Sequence, residues 1–223
     1  MIFAFIVFLL SLIFYTLFHF KLSRGLVFCL KILTSQTLFL FGIFAYFKSS
    51  NMNYAQFILI GLTFGVLGDI FLGLQKIDRK HKQFHLLIGI SSFLLGHIFY
   101  SIAFQKYSEL TEYIYLPIPI ILTLGSIIII LFSKTQLGKA KYLSFAYVLV
   151  SAFFLTFAFG TFKNGFSLFS LAVAIGALSF SFSDFILCFL YFRSVKKYRL
   201  LKYINIILYY LGQILIASSI WLI

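Results

Sequence analysis

Residues 57–73 read FILIGLTFGVLGDIFLG, and residues 171–192 read LAVAIGALSFSFSDFILCFLYF. Each is an apolar run with one aspartate inside it, Asp69 in the first and Asp184 in the second. About 20 apolar residues cross a bilayer as a helix. A carboxylate within such a helix is costly, so it faces the bundle interior and marks a functional site. The chain has only five acidic residues in 223, and two of the five are placed in this way.

The rest of the chain repeats the pattern. It is 62% hydrophobic with 32 phenylalanines, and its mean hydropathy is +1.08. Apolar runs lie near residues 2–18, 26–46, 54–73, 83–104, 113–132, 142–159, 166–192 and 203–223. Continuous runs of this length exclude a β-barrel, whose strands alternate over about ten residues. Nothing is left over for a soluble domain, so residues 1–223 read as a single integral membrane domain. The expected fold is an all-α polytopic membrane protein with eight transmembrane helices. The first run has no basic segment before it and no small-residue cleavage site, so it reads as a retained helix rather than a signal peptide. Pro117 and Pro119 fit the first turns of the fifth helix, where a missing backbone donor costs least.

The net charge of +13 resides in the loops. The first, third, fifth and seventh loops carry +2, +3, +3 and +5, whereas the second, fourth and sixth carry +1, −1 and +1. The positive-inside rule places the strongly basic loops in the cytoplasm and both termini outside, in a multi-pass protein of the cell membrane. The charge thus reports topology and contact with anionic membrane lipids, and no nucleic-acid motif accompanies it. On this topology Lys31, Asp69 and Asp184 share one depth, in the cytoplasmic third of the second, third and seventh helices. Such a cluster is expected of a polar pocket opening toward the cytoplasmic leaflet.

The two halves echo each other. VLGDIFL (66–72) answers SFSDFIL (181–187), and LLGHIFYSIA (94–103) answers YLGQILIASS (210–219). Four helices separate the matched elements, an even number, so a 4+4 repeat would be parallel. It would set the two aspartates opposite each other. The plain alternative is chance likeness among apolar segments.

Several residues accompany the aspartates. Gly61 and Gly65 precede Asp69 at a spacing that lets helices approach closely. Ser181 lies one turn before Asp184. Lys31 could neutralise an aspartate, hold a lipid phosphate, or snorkel to the interface. His97 with Tyr100, and Gln213 with Tyr209, stand at matching places in the fourth and eighth helices, and a packed core histidine is the plain reading of His97. Two neighbouring carboxylates raise each other's pKa, which suits one acid and one carboxylate for general acid/base work. His81 and His85 have an i,i+4 spacing but no HExxH motif, so an interfacial location is the better reading and no metal or cofactor is expected. Cys29 and Cys188 read as small buried hydrophobes. Tyr107, Tyr113, Tyr115, Tyr198 and Tyr203 fit an interfacial belt. No GxSxG motif is present, which disfavours a serine nucleophile.

The stretches GLTFGVLGDIFLG (61–73), FLLGHIFYSIAF (93–104), GALSFSFSDFILC (176–188) and YYLGQILIASS (209–219) resemble the YhhN family of integral membrane proteins, which includes the lysoplasmalogenases. LKILTSQT (30–37) looks like a diverged form of that family's lysine-containing second helix, without the proline that often follows the lysine. The resemblance implies hydrolysis of the vinyl-ether bond of a lysophospholipid, with Asp69 and Asp184 matching the family's two aspartates. A rival class is a small ion-coupled transporter, to which paired intramembrane aspartates are equally suited. Against it, the chain is short, the loops are tight and the second and third helices lack Gly/Pro breaks.

Overall fold

Asn51 and Ser167 show how the apolar runs become helices with fixed starts. The Asn51 side chain accepts the Tyr54 N–H at 3.0 Å. Ser167 and Ser170 form a reciprocal capping box ahead of the seventh helix. Both satisfy amides that the first turn leaves without partners. Gly165, at φ +108, turns the chain just before that box, in a conformation only glycine adopts without strain.

The computed structural model describes residues 2–108, 116–133 and 135–223. Among them the helices are α1 (Ile2–Phe18), α2 (Arg24–Tyr46), α3 (Met52–Ile77), α4 (Lys82–Ser108), α5 (Pro117–Phe132), α6 (Lys141–Gly160), α7 (Leu168–Phe192) and α8 (Tyr198–Leu222). No strand occurs among the described residues. The protein is therefore an all-α, multi-pass membrane protein. α2, α3, α4, α6, α7 and α8 are long and apolar enough to cross a bilayer, and α1 and α5 are shorter. Pro117 opens α5 as its first residue. Tyr113 and Tyr115 of the expected aromatic belt lie outside the described residues, as does the start expected for the fifth helix. Several helices outrun their apolar runs, notably α3 to Ile77 and α8 from Tyr198. Backbone hydrogen bonding continues through the polar ends that interface residues supply.

The chain divides into two compact units, Met1–Phe99 with Ala217–Ile223, and Tyr100–Ile216. In the first, α2 packs against both α1 and α3. Ser11 and Thr37 join α1 to α2 at 3.0 Å, and Tyr54 meets Ser219 at 2.6 Å. In the second, α6 packs against both α5 and α7, and Phe154, Phe180 and Tyr100 form a buried aromatic cluster.

The same close helix crossing occurs once in each unit. A Cβ on Gly96 of α4 would lie 3.2 Å from the Gly61 carbonyl oxygen of α3. A Cβ on Gly212 of α8 would lie 2.8 Å from the Gly176 carbonyl oxygen of α7. Gly61 and Gly176 each stand eight residues before an aspartate, and Gly96 and Gly212 each stand one before His97 or Gln213. The likeness of the two halves thus extends to their glycine contacts. The neighbours of Gly212 include the backbone nitrogen of Phe180 at 2.8 Å, which cannot yield as a side chain would. Gly212→Ala is expected to cost about 1–3 kcal/mol through overpacking, read as a lower thermal midpoint in detergent. Gly125→Ala on α5, where a Cβ meets nothing within 4 Å, should leave the midpoint unchanged or slightly raised.

Membrane-length runs identify helices, but they do not say which residues face lipid. Cys29 is exposed and Cys188 only half-buried, which corrects the expectation that both are buried. A thiol is apolar enough to face hydrocarbon as readily as a packed neighbour.

Candidate functional site

α2 and α3 run antiparallel within the first unit and bring Lys31 to Asp69. The Lys31 ammonium lies 2.7 Å from Asp69 Oδ1 and 3.4 Å from the Asp69 carbonyl oxygen. Ser35, one turn beyond Lys31, donates to Asp69 Oδ2 at 2.5 Å. Asp69 is 1% exposed. Of the three sequence readings of Lys31, neutralising an aspartate is the one this geometry displays. The glycines on α3 open the space: Gly68 lies under the ring of Phe93, and Gly73 under that of Phe28. His97 is fully buried, with Nδ1 2.9 Å from the Phe93 carbonyl oxygen of its own helix. That contact sets the ring's orientation along α4.

At the loop end of α3, Asp78 gathers two histidines on one oxygen. His81 Nδ1 lies 2.9 Å and His85 Nε2 3.1 Å from Asp78 Oδ2. These hydrogen bonds, from His85 first and then His81, hold the Asp78 carboxyl down at about 2 from an ordinary 3.8. The His81–His85 pair expected at the interface is therefore organised around an acid that ends the preceding helix.

In the second unit, α6 and α7 run antiparallel and bring Tyr147 to Asp184. The Tyr147 hydroxyl donates to Asp184 Oδ2 at 2.6 Å. One turn away on both helices, Ser151 and Ser181 lie 3.4 Å apart. Tyr100 donates to Gln213 Oε1 at 2.8 Å, so two residues singled out from sequence meet directly. Tyr209 stacks edge-on against Phe180 at 5.3 Å. On the face between α7 and α8, the Asn205 amide donates to the Ser183 carbonyl and hydroxyl oxygens at 2.9 and 2.8 Å, and Lys202 donates to Asn205 Oδ1 at 2.9 Å.

Farther along the same α6–α7 pair is an apolar crevice of about 420 Å³. Ile118, Leu122, Leu155, Thr156, Phe159 and Leu178 line it, and Lys163 is its one charged residue among those described. Its size lies within the range of small-molecule sites.

The model of the YhhN family matches residues 26–220. The chain belongs to the YhhN family. No curated protein and no solved structure matches it. The match spans α2 to α8 almost entirely, so every YhhN residue singled out above lies inside it.

Sequence reasoning did not name Ser35, Tyr147, Lys202 or Asn205 among the site residues. The available signal for Tyr147 was its position well inside α6, away from the ends where membrane tyrosines gather. Asn205 could have been noticed as a carboxamide within an apolar helix, where such a group needs a partner.

Proposed function

We propose that this YhhN-family protein hydrolyses the vinyl-ether bond of a lysoplasmalogen, giving a fatty aldehyde and a glycerophospho-base. The observation that carries the reading is a pair of carboxyl groups set inside membrane-length helices, Asp69 bound to an ammonium and Asp184 to a phenol. Cleavage begins when an acid delivers a proton to the β-carbon of the vinyl ether. Water adds to the resulting oxocarbenium carbon and loses a proton, and the hemiacetal collapses to aldehyde and glycerol hydroxyl. One water is consumed and no redox change occurs.

The chemistry calls for an acid and for a carboxylate to stabilise developing positive charge. Asp69 is the carboxyl ion-paired to Lys31, which leaves the role of acid to Asp184. Asp69, as the ion-paired carboxylate, supplies fixed negative charge. The apolar crevice beside α6 and α7 suits an alkenyl tail, with Thr156 and Lys163 the polar side chains among its described lining residues. The head group is assigned to the cytoplasmic face, where the positive-inside rule puts the strongly basic loops.

Purified protein in neutral detergent is expected to release aldehyde from a 1-alkenyl lysophospholipid and none from the 1-alkyl analogue, which has no double bond to protonate. Absence of aldehyde from the alkenyl lipid would remove the assignment.

A further inference from the structure

The α2–α3 pair keeps one register along its length. Lys31 meets Asp69. Toward the loop end, Phe28 lies against Gly73, where a Cβ would be only 2.3 Å from its ring. Another turn along both helices sets Arg24 opposite Lys76. Residues 24, 28 and 31 share one face of α2, and residues 69, 73 and 76 share one face of α3, by the i, i+3, i+4, i+7 rule. The two faces are those already in contact.

Two cations therefore face each other at the membrane end of this seam. Lys76 is half-buried, and the charges of both Lys31 and Arg24 act on it. Such like charges repel, the more so near low-dielectric surroundings. Within this unit the described acids are engaged: Asp69 with Lys31, and Asp78 with His81 and His85. Among the described residues no ion pair reaches Arg24 or Lys76. The space beside Gly25 is open, since a Cβ there would meet nothing within 4 Å. The site also lies at the N-terminus of α2, a 23-residue helix whose dipole favours an anion.

The geometry points to a phosphate-binding clamp formed by Arg24 and Lys76, whose ligand is the phosphodiester of the lysophospholipid substrate. A guanidinium fork and an ammonium point charge are the two usual partners of phosphate oxygens. This rests on the proposed lipid hydrolysis for the identity of the ligand. Lys31, held by Asp69, is thereby relieved of the phosphate role that sequence alone allowed it.

Binding tests the clamp without any need for cleavage. The probes are a radiolabelled 1-alkyl lysophosphatidylcholine, which has no vinyl ether, a phosphate-free 1-alkylglycerol, and inorganic phosphate. Wild-type protein in neutral detergent should bind the lysophospholipid more tightly than the alkylglycerol. Arg24→Gln and Lys76→Gln should each weaken lysophospholipid binding about tenfold, the loss of one charge-assisted hydrogen bond, and leave alkylglycerol binding unchanged. Unchanged lysophospholipid affinity in both variants would overturn the clamp, and so would an equal loss for the alkylglycerol. Competition by inorganic phosphate as strong as by the lysophospholipid would reassign the site to free phosphate and overturn the lipid assignment. Weakening seen only in nanodiscs containing phosphatidylglycerol, and not in neutral detergent, would reduce the pair to general contact with anionic lipid and likewise overturn it. Intact discrimination by the clamp with no aldehyde release would instead fault the hydrolysis.

Discussion

Asparagine in place of Asp184 is expected to slow aldehyde release from a lysoplasmalogen by about 10²- to 10⁴-fold, the range a positioned general acid contributes. The substitution keeps the shape of the side chain and still accepts the Tyr147 hydroxyl, so the 2.6 Å hydrogen bond has an equivalent and the protein should fold. What is lost is the transferable proton. Tyr147→Phe should cause a smaller loss, about tenfold, because it removes an orienting hydrogen bond and leaves the carboxyl in place. The two are compared by single-turnover aldehyde release with saturating lipid. Full turnover in Asp184→Asn would eliminate Asp184 as the acid.

The second large effect is on stability. Lys31→Met should destabilise the protein by about 3–5 kcal/mol, because removing one partner of a buried ion pair leaves the other charge uncompensated. The side chains of Asp69 and Lys31 are only 2% and 17% exposed, so solvent screens the pair little. The double variant Lys31→Met with Asp69→Leu removes both charges and should regain most of that loss. Thermal unfolding in detergent reads both. A double variant no more stable than Lys31→Met would show that the charge pair is not the source of the effect.

Much of the fold was legible because hydrocarbon imposes a simple demand. A chain in lipid must satisfy its backbone internally, so each long apolar run becomes a helix. The burial of particular residues was not legible, as Cys29 shows. In water an apolar residue is driven inward, whereas in lipid both sides of a helix are apolar and the pattern loses its direction. Charges remained informative for the same reason. Lys31 and Asp69 stood out of their runs, and the structure joins them. Tyr147 did not stand out, because one tyrosine among many aromatics carries no mark until its partner is known. The Gly61–Gly96 and Gly176–Gly212 contacts lie between the extremes: the likeness of the two stretches was legible in the letters, whereas the two matching backbone approaches appear only in the folded helices.

The proposed cleavage turns on where a proton goes. Lysoplasmalogen hydrolysis by the purified protein in D₂O, with the aldehyde trapped at once by reduction, locates that proton by mass spectrometry. Protonation of the vinyl ether predicts one deuterium on the carbon next to the former carbonyl, formed by wild-type protein and all but lost with Asp184→Asn. Aldehyde carrying no deuterium at that carbon, or labelled aldehyde formed equally fast by Asp184→Asn, would contradict it.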